Sequence, residues 1–192
     1  MKKINITTVL AVVFAICLTI TSYAQQNNDA GKMKMDHSKM KMDHSEGNMM
    51  QQKTSNAQFN DANLNNAYMH YNIIYTALTK SNSAKVKMMS KMLVDILNNY
   101  GKAQESATLA NKLAQAEDLK EQRKLFAELT ISVDPLFKEN ITNGNVYKNF
   151  CPMANGNGAY WFSNSEKIVN PYMGEKSAMS SCGSVKETFK SM

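Results

Sequence analysis

Six methionines and two histidines are crowded between residues 33 and 50 of this 192-residue chain. The stretch contains the heptapeptide Lys-Met-Lys-Met-Asp-His-Ser twice in succession, at residues 32–38 and 39–45. Thioether sulfur is a soft ligand that suits Cu(I) and Ag(I), and imidazole binds copper as well. Thioethers carry no proton at neutral pH, so they remain available when the medium turns acidic. The candidate metal ligands of the repeat are Met33, Met35, His37, Met40, Met42 and His44.

A solvated linker without function is the alternative for this stretch. A plain linker would be rich in Ser, Gly and Glu, and it would have no reason to place six apolar side chains in water. Tracts that are rich in His and other metal ligands are typical of metal-binding segments. Metal binding is therefore the preferred interpretation of the repeat.

A second group of sulfur ligands lies near the C-terminus. Cys151 and Met153 stand on one side of it, and Met179 and Cys182 on the other. Thiolates and thioethers together would form a closed site for a soft metal such as Cu(I). The alternative is a Cys151–Cys182 disulfide, which would stabilise the fold by about 3–4 kcal/mol. Both alternatives bring the two sulfurs together, and both remain open; tetrahedral zinc is disfavoured because no further Cys or His lies nearby.

The N-terminus predicts export. Lys2 and Lys3 precede an apolar run at residues 9–20, and Ser22 and Ala24 are the small residues that a signal peptidase recognises. This is the pattern of a secretory signal peptide, residues 1–24, cleaved after Ala24. The run is short for a membrane span. We therefore expect a periplasmic mature chain with no membrane span, in an oxidising compartment where disulfides persist.

Cys17 raises a lipoprotein as a rival interpretation. A lipid-attached cysteine follows a small residue, whereas Ile16 precedes Cys17. We therefore assign Cys17 to the signal peptide.

Charge and motifs argue against two other classes of protein. The formal net charge of +6 includes Lys2 and Lys3, and the remaining lysines are scattered without interleaved aromatic residues. This pattern does not favour nucleic-acid binding. The chain has no phosphate-binding glycine loop, no HExxH and no GxSxG. We therefore expect a protein that is not an enzyme.

The sequence divides into a tail and one folded domain. Residues 25–58 are polar, nearly without aliphatic side chains, and are predicted to be a disordered Met/His-rich tail. Residues 59–192 are predicted to form a single domain, with a helical bundle at 61–143. Apolar residues recur there every three or four positions. The residues predicted to be buried are Leu64, Tyr71, Ile74, Leu78, Leu93, Ile96, Phe126 and Leu129.

Local signals divide the bundle into four helices. The Ser-Asn-Ser at 81–83 and Gly101 predict the ends of the second helix, a shorter helix spans Leu109, and a fourth begins near Glu117. Pro135 is expected to kink or end that last helix. Met89 and Met92 follow the apolar stripe of the second helix and are expected to pack in the core.

The last fifty residues change in character. Residues 146–150 and the aromatic run at 159–162 predict two short strands, joined by the turn signal Asn-Gly-Asn-Gly at 155–158. We call residues 144–192 the knuckle. The predicted fold class is mainly α, an antiparallel helical bundle followed by a small C-terminal β/turn knuckle.

These motifs resemble the bacterial domain of unknown function 3347 family over about residues 61–190. The resemblance is carried by Cys-Pro-Met at 151–153, Gly-Ala-Tyr-Trp-Phe-Ser at 158–163, Asn-Pro-Tyr-Met-Gly at 170–174, and Met179 with Cys182-Gly183. In the helical half it is carried by Ala77-Leu78, by Glu121-Gln122-Arg123 and by Phe126. Here two serines separate Met179 from Cys182, one residue more than the family spacing. That family occurs alone in exported proteins and fused to periplasmic adaptor subunits of copper and silver efflux pumps.

The resemblance implies metal handling in the cell envelope. The predicted function is binding of copper, with Cu(I) favoured and silver as an alternative ion, for buffering or for transfer to an efflux adaptor protein. The rival hypothesis is a protein-interaction module whose knuckle is locked by a disulfide and which docks on such an adaptor.

Overall fold

A computed structural model of the chain describes residues 57–191. The predicted signal peptide and the predicted ligands Met33, Met35, His37, Met40, Met42 and His44 lie outside the described residues. The predicted fold class is confirmed: four helices are followed by small antiparallel sheets. Among residues 57–191, no helix combines the length and the hydropathy that a membrane span requires.

Four helices form the N-terminal part of the described chain. They are α1 (Ala62–Thr79), α2 (Ser83–Tyr100), α3 (Gln104–Gln115) and α4 (Leu119–Asn140). Each packs along the next, and α1 also contacts α4, so the four close into a bundle.

Residues next to the helices fix where three of them begin and where one ends. The carboxylate of Asp61 accepts hydrogen bonds from the first turn of α1, and Asn82 and Asp118 do the same for α2 and α4. Gly101 ends α2 in the left-handed conformation, at φ 76°. Such N-caps satisfy backbone N–H groups that the helix itself leaves unpaired.

Five strands complete the fold of residues 57–191. The pair β1 (Gln58–Phe59) and β2 (Ile141–Asn143) forms a small antiparallel sheet. The second sheet contains β3 (Asn145–Cys151), β4 (Ala159–Ser163) and β5 (Ser184–Lys190), with β3 in the centre and antiparallel to both neighbours. The helix α4 contacts β4 and β5, so the bundle and the knuckle share one core.

Most of the predicted core is confirmed. Leu64, Tyr71, Ile74, Leu78, Leu93, Phe126 and Leu129 are all almost fully buried. Ile96 is half-buried against the same core.

The expectation that Met92 packs in the core is wrong, because this side chain is 46% exposed. The buried stripe of α2 is Val86, Ser90, Leu93 and Leu97, and Met89 is half-buried beside it. Ser90 is polar, so its hydropathy does not mark it as a core residue. The buried stripe of α2 is therefore displaced from the stripe that the apolar residues predict.

Pro135 does not end the last helix. The helix α4 continues through Pro135 to Asn140. Proline removes the hydrogen bond to the carbonyl four residues earlier, here that of Ile131. Both Pro135 and Ile131 are exposed, so water can satisfy that carbonyl. Val133 and Phe137 are buried on either side of the proline, and their packing holds the helix in place.

Candidate functional site

The two cysteines of the knuckle form a disulfide. Cys151 is the last residue of β3 and is fully buried, while Cys182 lies two residues before the start of β5 and is half-buried. Their Cα atoms are 5.8 Å apart. Of the two alternatives that the sequence left open, the disulfide is the one in this structure, and the expected proximity of the sulfurs is confirmed.

The antiparallel sheet brings the cysteines together. Phe150 of β3 lies opposite Ser184 of β5. Cys151, one residue after Phe150, and Cys182, two residues before Ser184, therefore lie at the same end of the sheet. Gly183 joins Cys182 to β5 with φ at +129°. A Cβ atom at this position would lie 2.7 Å from Cη2 of Trp161 and 2.9 Å from the carbonyl oxygen of Phe150. Only glycine fits this close approach.

Asn170 holds the loop that carries Cys182. It is fully buried, and its Nδ2 donates to the carbonyl of Cys182 at 2.8 Å. Its Oδ1 accepts from the backbone N–H of Tyr172, and its own backbone N–H donates to the carbonyl of Ser180, each at 2.8 Å. One side chain therefore ties the Asn-Pro-Tyr turn to the disulfide.

Tyr172 anchors the same turn to the sheet. Its hydroxyl donates to the carbonyl oxygen of Tyr160, and its ring lies 6.0 Å from the ring of Trp161. Burial raises the pKa of Tyr172 well above its usual value, so the hydroxyl stays protonated and remains a donor.

Two exposed methionines flank the disulfide. Met153 follows Cys151 by two residues and is 59% exposed, and Met179 precedes Cys182 by three residues and is 39% exposed. The backbone N–H of Cys182 donates to the carbonyl of Met179 at 2.9 Å, which fixes that turn against the cysteine. Met173, by contrast, is half-buried against the core. Among the described residues of the knuckle, the exposed thioethers are therefore those of Met153 and Met179.

The oxidation state of the cysteines decides which sulfurs can bind a metal. A disulfide has no thiolate, and thiolate is the form of cysteine that ligates metals. Beside the disulfide, the exposed soft donors that need no reduction are the thioethers of Met153 and Met179. Binding by Cys151 and Cys182 requires their prior reduction to thiols and stays a prediction.

Metal ligands other than thioethers are not grouped together in the described residues. Residues 57–191 contain no group of three or more His, Cys, Asp or Glu side chains placed to hold a metal ion. His70 is buried, and its Nδ1 lies 2.9 Å from the carbonyl of Asn66, one helical turn earlier. This contact supports a structural role for His70.

Sequence reasoning did not assign a role to Arg123, which connects the bundle to the knuckle. Its Nε donates to the carbonyl of Pro171 at 3.0 Å, and its Nη2 donates to Oγ of Ser81 at 3.2 Å. Burial lowers the pKa of the guanidinium. The signal for this role in the sequence was the place of Arg123 in Glu121-Gln122-Arg123, a motif that carries the resemblance.

Comparison of the chain with protein-family models, with curated proteins and with solved structures finds no significant match.

Proposed function

We propose that this chain is an exported protein of the bacterial cell envelope that binds a soft metal ion, copper as Cu(I) or silver as Ag(I). It buffers the ion or transfers it to a periplasmic efflux adaptor, and it has no catalytic role. The observation that carries the proposal is the pair of identical Met/His heptapeptides at residues 32–45.

The exposed thioethers of the knuckle support the same chemistry. Met153 and Met179 are accessible to solvent beside the disulfide. Thioether and imidazole ligands select soft and borderline ions over Mg²⁺ or Ca²⁺, which prefer oxygen. Thioethers do not compete with protons, so binding by methionine persists at acidic pH, whereas binding by His37 and His44 weakens as imidazole is protonated.

In this proposal the disulfide and the ligands have different tasks. The Cys151–Cys182 bond holds the turn that carries Met179 near the end of β3. The tail supplies most of the ion capacity, and the oxidised knuckle supplies thioethers only. When the disulfide is reduced, the two thiols add a higher-affinity site that includes Met153 or Met179.

Cu(I) titration of the mature chain tests the proposal. The titration is done without oxygen, in competition with a chromogenic Cu(I) chelator, on residues 25–192 and on a variant lacking residues 32–50. The deletion should leave the helical circular dichroism unchanged and remove most of the bound copper. A matched control replaces Ser38 and Ser45 with alanine, which keeps every thioether and imidazole and should keep the copper. Equal copper stoichiometry with and without residues 32–50 would sink the tail assignment.

A protein-interaction module is the second candidate, and the disulfide is the observation that favours it. The bond, together with the hydrogen bonds of Asn170, makes the knuckle a rigid surface that needs no metal. The two candidates differ in one measurement. If the mature chain binds no Cu(I) in either redox state but binds a periplasmic efflux adaptor, the interaction module is the function.

A further inference from the structure

Methionine is used differently from the other large apolar residues in the described part of the chain. The leucines that form the core of the helices are buried to within a few per cent, for example Leu93 and Leu97 on α2. The exposed large apolar side chains of residues 57–191 are Met69, Met88, Met92, Met153, Met179 and Ile131. All but one are methionines, and two of these, Met88 and Met92, lie on α2.

Met88 and Met92 are one helical turn apart. They stand four positions from each other in the continuous helix Ser83–Tyr100, which Asn82 caps at its start and Gly101 ends. Side chains at this spacing lie on the same face, with Cβ atoms about 5–6 Å apart. Both are near half-exposed, at 56% and 46%. The thioether arms are flexible, so the two sulfurs can converge on one ion.

Packing does not explain these two residues. The buried stripe of α2 runs through Val86, Ser90, Leu93 and Leu97, which leaves both methionines on the outer side of the helix. Lys, Glu and Gln have helix propensities close to that of Met and would be better solvated at such positions. What methionine adds there is a soft, uncharged sulfur ligand.

The charges beside the pair favour a monovalent ion. Lys85 precedes Met88 by three residues and Lys91 follows it by three, so both lysines neighbour it on the helix, and both are exposed. The exposed carboxylate of Asp95 lies three residues after Met92. Two ammonium groups against one carboxylate repel a divalent cation more strongly than a monovalent one.

We infer that Met88 and Met92 form a two-thioether site for a monovalent soft ion, Cu(I) or Ag(I), on the outer face of α2. The site is separate from the tail and from the knuckle. The inference rests on the proposed function in that both need a soft ion to reach the protein. It assigns the folded domain an ion site that works in either state of the disulfide.

Protection from oxidation tests the site residue by residue. The mature chain, residues 25–192, is treated with hydrogen peroxide with and without Ag(I), and the sulfoxides are located by peptide mass spectrometry. A thioether that binds Ag(I) through its lone pair is a poorer nucleophile toward peroxide. We expect Ag(I) to suppress oxidation at both Met88 and Met92. Met69 is the matched control, since it is 50% exposed on α1 and has no methionine three or four residues away; its oxidation should be unchanged.

Met92→Leu separates a shared site from two independent ones. Leucine keeps the size, the hydropathy and the helix propensity, so the fold should be retained and circular dichroism checks this. Met88 should lose its Ag(I) protection in this variant, while Met69→Leu should leave Met88 protected. The inference is overturned if Ag(I) leaves the oxidation of Met88 and Met92 unchanged, if it protects Met69 equally, or if Met88 stays protected in Met92→Leu.

The same peptide map distinguishes this inference from the proposed function. If the tail methionines Met33, Met35, Met40 and Met42 are protected and Met88 and Met92 are not, the helix site is wrong and the proposed function stands. If Met88 and Met92 are protected and the tail methionines are not, the helix site stands and the assignment of the tail is wrong.

Discussion

The side chain of Asn170 donates a hydrogen bond to the carbonyl oxygen of Cys182 over 2.8 Å. The two residues are twelve positions apart, and Asn170 is fully buried. The same side chain also accepts from the backbone of Tyr172. The side-chain amide of Asn170 therefore links the disulfide to the Asn-Pro-Tyr turn. Because Asn170 is buried, water cannot replace a hydrogen bond that is lost there.

Replacing Asn170 with alanine should lower the free energy of unfolding by about 1–3 kcal/mol, because the carbonyl of Cys182 and the N–H of Tyr172 lose a buried partner. Urea denaturation at constant redox state measures the change. Asn157→Ala is the matched control; Asn157 is exposed on the turn before β4, and its replacement should cost far less. Equal destabilisation by the two variants would contradict the assigned role of Asn170.

Cys151 and Cys182 should resist alkylation in the purified mature protein, because they are joined in a disulfide. Iodoacetamide should leave Cys151 and Cys182 unlabelled until a reductant is added, and mass spectrometry of the intact chain reads the result. Replacing Cys151 with serine should reduce stability by about 2–5 kcal/mol relative to the oxidised protein, since the closed loop no longer restricts the unfolded chain. The control is the reduced wild-type chain, in which the same replacement should cost much less. Free thiols in the untreated protein would favour the metal site instead.

Gly183→Ala should be more damaging than an alanine at another glycine with positive φ. At Gly183 the added methyl group meets Trp161 and the backbone of Phe150. At Gly156, with φ +83°, it meets nothing within 4 Å. Gly156→Ala should therefore cost only the conformational strain, roughly 1–2 kcal/mol. Gly183→Ala should cost about 1–3 kcal/mol more. Thermal unfolding of the two variants side by side checks the order, and the reverse order would show that the contact with Trp161 is not tight.

Alkaline pH should destabilise the fold through its buried tyrosines. Burial raises the pKa of Tyr75 from 10.0 to about 12, and it raises the pKa of Tyr71 further. The folded protein therefore holds protons that the unfolded chain releases above a pH of about 10, so stability is complete below that pH and falls as the pH rises beyond it. Denaturant midpoints across this range, with tyrosinate absorbance of the native protein, measure the effect.

Tyr75→Phe is the informative variant for the alkaline effect. It removes one titrating group and should make the loss of stability with rising pH shallower, although it also loses the hydrogen bond to the carbonyl of Val169. The test is how steeply the denaturant midpoint falls with rising pH, and not the stability at neutral pH. An unchanged slope would show that Tyr75 titrates normally in the folded state.

The sequence anticipated the helical half of the fold because its signals are local. Asn82 and Gly101 lie next to the ends that they define, and their effects depend on backbone groups within a few residues. The β half was harder to anticipate. The strand β5 contains Lys186 and Glu187 and has no apolar alternation; it becomes a strand because β3 offers it an edge.

The sequence by itself determined the Met/His repeat, the two ends of α2 and the presence of Cys151 and Cys182. These depend on residue type and on neighbours along the chain. Only the tertiary structure decided which sulfurs face solvent. It exposed Met92 where the apolar pattern predicted burial, and it joined the two cysteines across the end of the sheet. Exposure and pairing depend on which distant elements pack against a residue, and the register between β3 and β5 that sets them spans more than thirty positions of the chain.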